Sequence, residues 1–407
     1  MARRYLATNV YEEAIERMAA LFEEGHRIVV SFSGGKDSCC ALEVTLAAAQ
    51  MVNYGPVDVV MRDEEALFPG SYEYADRVAQ RHGEVVFHHF IALQPIVNCF
   101  NRTQPYWWIF DQDLDPEDWV RLPPHYDEAG RPVLHPGVMW QPSTWTEGSR
   151  VEVIAEKHIE AMVTPERFPP AEGKRLFDVL GLRVSESRGR LFGIYSSGGY
   201  ITAPRKLTGV SKARPIYDWS DSDVWKAVAE NRWDYNDAYN VLHRLGAPRH
   251  DLRIAPPTMN AAGTRVLARA RQAWPRWFDR LERRCPGVKT AAQFGIRAVT
   301  PQRRRGETWE ECFQRACIDE APEWIAERAE RVRERILSAH SRHATAGLPE
   351  VNACWQCAGD AGSWKQMATY LYLGDPFAIK TGSILKPVEP EFFREGAGTW
   401  GGSPAFA

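Results

Sequence analysis

The sequence predicts an α/β protein: a Rossmann-like, doubly wound, mainly parallel sheet followed by a mainly helical C-terminal region. Three observations carry this. Apolar, β-branched runs at Ile28–Val30, Val57–Met61 and Val85–Phe90 are separated by stretches of helical period, the order expected of βαβ units. The first run passes directly into S-G-G-K-D-S (Ser33–Ser38) and then a helix-like pattern of Cys39, Cys40, Ala41, Leu42, Val44 and Leu46, which reads as strand, tight turn, helix start. Finally, Arg265–Arg284 and Trp309–His340 read as long amphipathic helices rich in Arg and Glu.

The elements follow in order. Asn9 with Glu12 three residues later resembles a capping box, and Ala14, Met18, Leu21 and Phe22 recur at helical spacing up to a stop at Gly25. The three strands come next, and their carboxyl ends would gather the Ser33 loop, Asp63 and the pair His88-His89 along one edge, where such sheets bind ligands. Between Pro95 and Trp145, proline and aromatics cluster (Tyr106-Trp107-Trp108, Pro123-Pro124, Trp140), as in a long insertion or lid, with packing an equal explanation. Val151–Met162 reads as helix and Lys174–Val184 as a further strand. Ser220 is a good N-cap, and Trp233–Leu245 reads as helix with Gly246 as its stop. Pro275 should kink or interrupt the first C-terminal helix. The domains expected are 1–260 with an insertion at about 95–150, a helical region at 261–345, and a C-terminal segment at 346–407.

Composition narrows the function classes. With 44% hydrophobic and 25% charged residues the chain is globular, not disordered. A net charge of −3 gives no overall basic field for nucleic acid, although Arg303-Arg304-Arg305 is a local basic run. No apolar run approaches the roughly 18 residues that span a bilayer. The N-terminus lacks an apolar signal segment, so a cytoplasmic protein is expected. Eight cysteines are then better read as thiols or metal ligands than as disulfides.

The Ser33–Ser38 turn carries the chemistry. A strand-to-helix turn collects backbone N–H groups at the positive end of a helix dipole, which favours phosphate. Gly34 and Gly35 let the backbone approach an anion, Ser33 and Ser38 add hydroxyls, and Lys36 adds charge. The Walker A pattern is absent.

S-G-G-K-D-S resembles the PP-loop of PP-loop ATPases and of the phosphoadenylyl-sulfate (PAPS) reductase family. Two later blocks strengthen the resemblance. G-L-R-V-S-E-S-R-G-R (Gly181–Arg190) is similar to that family's G-x-R-x-x-E-S-x-x-R. P-I-Y-D-W-S-D-S-D-V-W (Pro215–Trp225) is similar to its P-[LI]-x-[DN]-W-[ST]-x-x-D-V-W. The match covers about residues 5 to 250. The Q-P-Y-W-W and R-L-G-A-P-R-H-D-L-R stretches resemble a larger branch found on phages, plasmids and other mobile elements, beside CRISPR loci and related to a DNA phosphorothioation subunit. The resemblance implies an adenine nucleotide, ATP or PAPS, with Mg²⁺. Ser31, Ser33, Gly34, Gly35, Lys36, Asp37 and Ser38 would lie on the nucleotide, Met61 and Asp63 near the adenine or ribose, and Gly181 and Arg183 along it. Lys36, Asp37, Arg183 and Arg188 would be catalytic; the alternative for the two arginines is an ion pair with Glu186 or a helix acid. Asp37 would hold Mg²⁺, with Asp63 and Glu64 as alternatives.

The departures matter as much. The E-C-G-[LI]-H motif that supplies the nucleophilic thiol of assimilatory PAPS reductases is missing. Cys39-Cys40 lie on one helix about 100° apart, poorly placed to share a metal, and read better as small buried hydrophobes. Cys354 and Cys357 form one C-x-x-C, and Cys312 with Cys317 could complete a Zn or Fe–S site; a redox pair or inert thiols are the other readings. Three functions therefore remain. The first is α-phosphate chemistry on ATP with release of pyrophosphate. The second is thiol-dependent PAPS reduction through Cys354 or Cys357. The third is a non-catalytic, nucleotide-gated partner of a nucleic-acid-associated complex.

Overall fold

The computed structural model describes residues 8–81, 83–91, 95–111, 113–121, 138–139, 162–204, 209–254, 257–258, 263–344, 346–354 and 362–393. The chain forms two compact units. The first comprises residues 1–93 and 121–256, the second residues 94–120 and 257–407. Residues 94–120, read from the sequence as part of an insertion into the nucleotide domain, thus belong to the second unit.

Among the described residues the strands are β1 (Arg27–Ser31), β2 (Val57–Asp63), β3 (Val85–Ile91), β4 (Pro95–Val97), β5 (Tyr106–Trp108), β6 (Val138–Met139), β7 (Leu176–Val179) and β8 (Val210–Ala213). In the first unit they build one six-stranded sheet of order β6-β3-β2-β1-β7-β8, and every pairing is parallel. The chain moves outward from β1 through β2 and β3, then crosses back to place β7 on the other side of β1. The strand order therefore reverses between β1 and β7, and the loops leaving the carboxyl ends of those two strands flank the crevice where α/β sheets take ligands.

Why these residues form these elements is local. β1 buries Ile28, Val29 and Val30, and its β-branched side chains suit a strand covered on both faces. Helix α1 (Val10–Glu23) starts at Asn9, whose side chain accepts from the Tyr11 and Glu12 amides while Glu12 returns to the Asn9 amide. Helix α2 (Lys36–Met51) follows β1, and α3 (Ser71–Ala79) follows β2. Met18, Leu21 and Phe22 of α1 and Leu42 and Val44 of α2 join Ile28, Val30, Val59, Met61 and Phe87 in one core. Helices α4 (Arg188–Ser196), α5 (Asp221–Glu230) and α6 (Ala238–Arg244) complete the first unit. The second unit holds the β4–β5 hairpin and helices α7 (Thr264–Ala273), α8 (Pro275–Arg284), α9 (Val288–Phe294), α10 (Trp309–Gln314), α11 (Glu323–Ser341) and α12 (Trp364–Leu371). Phe313, Cys317, Val332, Trp364, Met367 and Leu371 form a separate core there.

Several sequence expectations change in detail. The strand expected over Lys174–Val184 is only Leu176–Val179, because the chain turns at Gly181 to pass the first turn of α2. The helix expected from Trp233 begins at Ala238, after Asn236 accepts the Ala238 amide and holds the chain non-helical before it. The first long C-terminal helix is interrupted at Pro275 as expected, this proline opening α8 as its first residue, whereas the second is also divided, Pro322 separating α11 from a π-helical turn at Arg315–Asp319. The helix read at Val151–Met162 falls, but for its last residue, outside the described residues. Among the described residues no helix is long and apolar enough to cross a membrane.

Candidate functional site

The loop between β1 and α2 is shaped by a few side chains. Gly34 has φ +72°, a conformation that any L side chain would strain. Gly35 caps α2 with no side-chain hydrogen bond. Ser38 reaches back across the turn: its hydroxyl donates to the Gly35 carbonyl (2.9 Å) and accepts from the Ser33 amide (3.2 Å), with the Ser33 hydroxyl 3.1 Å away. The Lys36 amide donates to the Tyr239 hydroxyl at 2.8 Å, and Asn236 donates to the Gly34 carbonyl (3.3 Å) and the Ser71 hydroxyl (2.9 Å). Among the described residues, the amides of Gly34, Gly35, Asp37 and Ser38 have no protein acceptor. Four free N–H groups thus stand at the positive end of a 16-residue helix, a ready-made place for an anion.

The loop after β7 supplies the other wall. A Cβ on Gly181 would lie 2.5 Å from the Asp37 carbonyl and 2.7 Å from the Ser38 amide, so only glycine lets this loop cross the α2 N-terminus. Two residues on, Arg183 is almost fully buried. Its Nε donates to Asp37 Oδ1 (2.7 Å), and its terminal nitrogens reach Ser185 Oγ (3.0 Å) and Asp221 Oδ1 (3.4 Å). Lys36, also buried, places Nζ 2.9 Å from Asp37 Oδ2 and 3.7 Å from Asp221 Oδ1. Arg249 closes the group, with Nε 3.0 Å from Asp221 Oδ2 and a second bond of 2.9 Å to the Asp221 carbonyl. Three cations therefore share two carboxylates, leaving one net positive charge. Both carboxylates sit in the first turns of helices, α2 and α5, whose dipoles favour them there.

Most other residues expected at the site hold their side chains on protein partners or in the core. Ser31 spends its hydroxyl on Asp178 (2.6 Å), tying β1 to β7, and does not project into the loop. The Met61 side chain belongs to the core, so only its backbone lies near the sheet edge. Asp63 is fully buried. It bonds to His89 Nε2 (3.1 Å), Arg121 and the Glu65 amide, which spends its carboxylate on protein partners. Burial raises its pKa, but the Arg121 and His89 charges outweigh that and hold it well below the usual carboxylate range. His88 and His89 alternate across β3, as strand residues must, so His88 pairs instead with Asp58 (2.9 Å) and lies away from the edge. Arg188, the first residue of α4, is exposed and makes no ion pair among the described residues; the pair with Glu186 is made by Arg190 (2.7 Å).

The metal expectations change as well. Asp37 faces Lys36 and Arg183, and Glu64 lies 3.3 Å from Arg62. No group of three or more His, Cys, Asp or Glu among the described residues is arranged to hold a metal ion. The described residues therefore do not form a protein cage for Mg²⁺. Cys312, Cys317 and Cys354 are likewise not drawn together, and Cys357 lies outside the described residues. Cys317 is packed in the second core with its Sγ 3.6 Å from the Ala368 carbonyl, and burial pushes its thiol up to about 12. Cys39 and Cys40 are fully buried on α2; burial pushes Cys39 up to about 12 and Cys40 well above the ordinary thiol value.

Sequence reasoning missed Tyr239, Asn236, Asp221 and Arg249 as parts of this site. Asp221 stands inside the W-S-D-S-D-V-W block and Arg249 inside R-L-G-A-P-R-H, so those segments carried the signal without the role. Nothing local marks Tyr239 or Asn236; each meets the loop about two hundred residues away in sequence.

Comparison with known proteins adds little beyond this geometry. No family model matches the chain. It is 28% identical over 264 residues to an uncharacterised protein, YbdN, of Escherichia coli K12, a match that spans 62% of this chain and 59% of that protein. FMN adenylyltransferase of Candida glabrata overlaps 59% of the chain with a TM-score of 0.34 and 12% identity, covering 62% of that enzyme. A structure of the same enzyme with ATP gives 0.34 and 13% over 63% of its length. PAPS reductase of Candida auris, in complex with phosphate, overlaps 63% of this chain and 98% of its own with a TM-score of 0.29 and 14% identity. At these scores the overlaps carry no functional argument.

Proposed function

We propose that the first unit is a PP-loop domain of the PAPS reductase type, that it binds an adenine nucleotide, and that it uses ATP in α-phosphate chemistry. One observation carries the reading: four free amides at the N-terminus of α2, with Lys36 and Arg183 beside them, at the point where the strand order reverses. A phosphate group of the nucleotide would sit on the amides of Gly34, Gly35, Asp37 and Ser38. Lys36 and Arg183 would exchange part of their contact with Asp37 for phosphate oxygens. An acceptor oxygen would attack the α-phosphorus, the bond to the bridging oxygen of the β-phosphate would break, and pyrophosphate would leave with the electron pair. The loop contributes positioning and charge stabilisation and no covalent chemistry. Mg²⁺ would enter bound to the nucleotide and neutralise phosphate charge. Pyrophosphate release from ATP, compared between the unaltered protein and Lys36→Ala, tests this. Release that depends on Lys36 supports the reading; equal release in both refutes it.

Sulfonucleotide reduction is the weaker alternative. It needs an accessible thiolate from Cys354 or Cys357; Cys354 is buried, and Cys357 lies outside the described residues. A cytoplasmic setting remains part of this reading, on the sequence expectation that the eight cysteines are thiols or metal ligands rather than disulfides. A third reading is association with a nucleic-acid complex, its mobile-element or CRISPR-linked kind coming from the sequence resemblance alone. In the second unit, Arg303, Arg304 and Arg305 line a cavity of about 770 Å³ together with Trp309 and Glu350, and the Arg303 guanidinium lies 5.1 Å from the Trp309 ring centre. Nucleic-acid binding unchanged by charge reversal of the three arginines would remove that role from this surface.

A further inference from the structure

The Asp221 carboxylate marks a point on which three cations converge from three segments. Lys36 comes from the start of α2, Arg183 from the loop after β7, and Arg249 from the short helical turn Arg249–Asp251. Their nitrogens lie 3.7, 3.4 and 3.0 Å from its oxygens. The first two side chains are buried, at 8% and 4% exposure, and are shared with Asp37; Arg249 is 53% exposed and reaches in from the rim. Asp221 itself is 38% exposed, so its carboxylate is the removable part of the arrangement.

We propose that Lys36, Arg183 and Arg249 form a second oxyanion subsite beside the loop amides, and that this subsite takes a second tetrahedral oxyanion of the same nucleotide, a terminal phosphate or a sulfate. The inference rests on the nucleotide reading of the loop and adds to it a specificity residue, Arg249. Three features support an anion of this kind. A carboxylate oxygen and a phosphate or sulfate oxygen make the same charge-assisted hydrogen bonds to guanidinium. The group carries one net positive charge with Asp221 in place and two without it, so an incoming dianion is better matched than a monoanion. The N-terminus of the 10-residue helix α5, where Asp221 is the first residue, adds its own positive end to that of α2. Asp221 is then the competitor that an arriving oxyanion displaces, and Arg249 is the cation freed by the exchange.

The test is calorimetric titration of the full chain with AMP, ADP and adenosine 5′-phosphosulfate, in the unaltered protein and in Arg249→Gln, Asp221→Asn and Lys36→Ala. Arg249→Gln is expected to weaken ADP or the phosphosulfate tenfold or more while changing AMP less than twofold; the ligand that suffers identifies phosphate or sulfate as the preferred group. Asp221→Asn is expected to tighten that same ligand. Lys36→Ala should weaken all three. If Arg249→Gln leaves the ratios between AMP and the other two unchanged, or if Asp221→Asn weakens binding as much as Arg249→Gln does, the subsite is overturned while the loop reading stands. If the unaltered protein binds none of the three, the loop reading falls and the subsite with it.

Discussion

Two charged clusters stand at the carboxyl ends of neighbouring strands of one sheet, and they are built to opposite ends. After β2, Asp63 is fully buried and its carboxylate is shared among His89, Arg121 and the Glu65 amide. After β1, Asp37 is partly exposed, and its two cations have a second carboxylate, Asp221, within reach. The Asp63 carboxylate is closed to solvent. The second cluster has a positive surplus, four unaccepted amides and a displaceable partner. The lesson is that a conspicuous acid at a sheet edge is not by itself a ligand-binding acid. What separates the two is the surroundings of the carboxylate: Asp63 is shut away from solvent, whereas Asp37 is partly open and stands beside unaccepted amides.

Substitutions can break this contrast. The largest expected effect is at the closed cluster. Asp63→Asn strips the charge that compensates Arg121 in a buried setting, and unfolding in urea should show a loss of about 3–5 kcal/mol. Because Asp63 is held below its ordinary pKa, its contribution is present above the ordinary carboxylate range and is lost as pH falls through that range and below it. Acid unfolding of Asp63→Asn should therefore be less steep than that of the unaltered chain. A variant as stable as the parent would show that the cluster is not what braces the β2 end. Asp37→Asn, by contrast, leaves Lys36 and Arg183 with Asp221 as a remaining carboxylate, so it should cost less stability than Asp63→Asn and should also alter nucleotide affinity.

Next in size is Gly181→Ala. The added Cβ meets backbone at 2.5 Å, which no side-chain adjustment relieves, so the β7 loop must move away from α2. Overpacking of this kind costs about 1–3 kcal/mol, and ATP binding should fall with it because Arg183 moves too. Loss of stability without loss of binding would uncouple the two loops. Smaller again is Tyr239→Phe, which removes the acceptor of the Lys36 amide. The expected loss is about 0.5–1.5 kcal/mol in thermal unfolding, with the fold unchanged by circular dichroism.

The smallest effect concerns reactivity. Cys39 and Cys40 should resist alkylation in the folded protein and label only on unfolding, since burial keeps both as thiols. With the Cys39 pKa raised from 9.0 to about 12, its share of stability is whole below pH 9 and is lost as pH climbs towards 12. Rapid labelling at neutral pH would contradict this placement and would revive a thiol-based chemistry at the loop.

How much of this could be read from residues alone follows from how local each feature is. The β1–turn–α2 unit is contiguous: Ile28–Val30, Ser33–Ser38 and the α2 pattern announce strand, turn and helix within twenty residues. Asn9 and Ser220 announce their own helices by capping boxes. Gly181 and Arg183 were legible only as part of a patterned block, and the reason for the glycine, its contact with Asp37, needs the fold. The burial of Asp63 is not legible, because a carboxylate at a strand end looks the same in sequence whether or not Arg121 covers it. Tyr239 and Asn236 are ordinary helix-flanking residues until α2 and α6 are brought together. The break at Pro275 is legible from the proline itself, whereas the helix read over Trp309–His340 runs through Pro322, where the structure divides it.

The central claim is that an anion of an adenine nucleotide sits on the Gly34–Ser38 amides. Hydrogen exchange of those amides, with and without ATP, measures it most directly. The account predicts that ATP slows exchange in the peptide covering Ser33–Ser38 and in that covering Gly181–Ser185, leaves the β2 end around Asp63 unchanged, and loses both effects in Lys36→Ala. Protection confined to other parts of the chain, or none at saturating ATP, would contradict it.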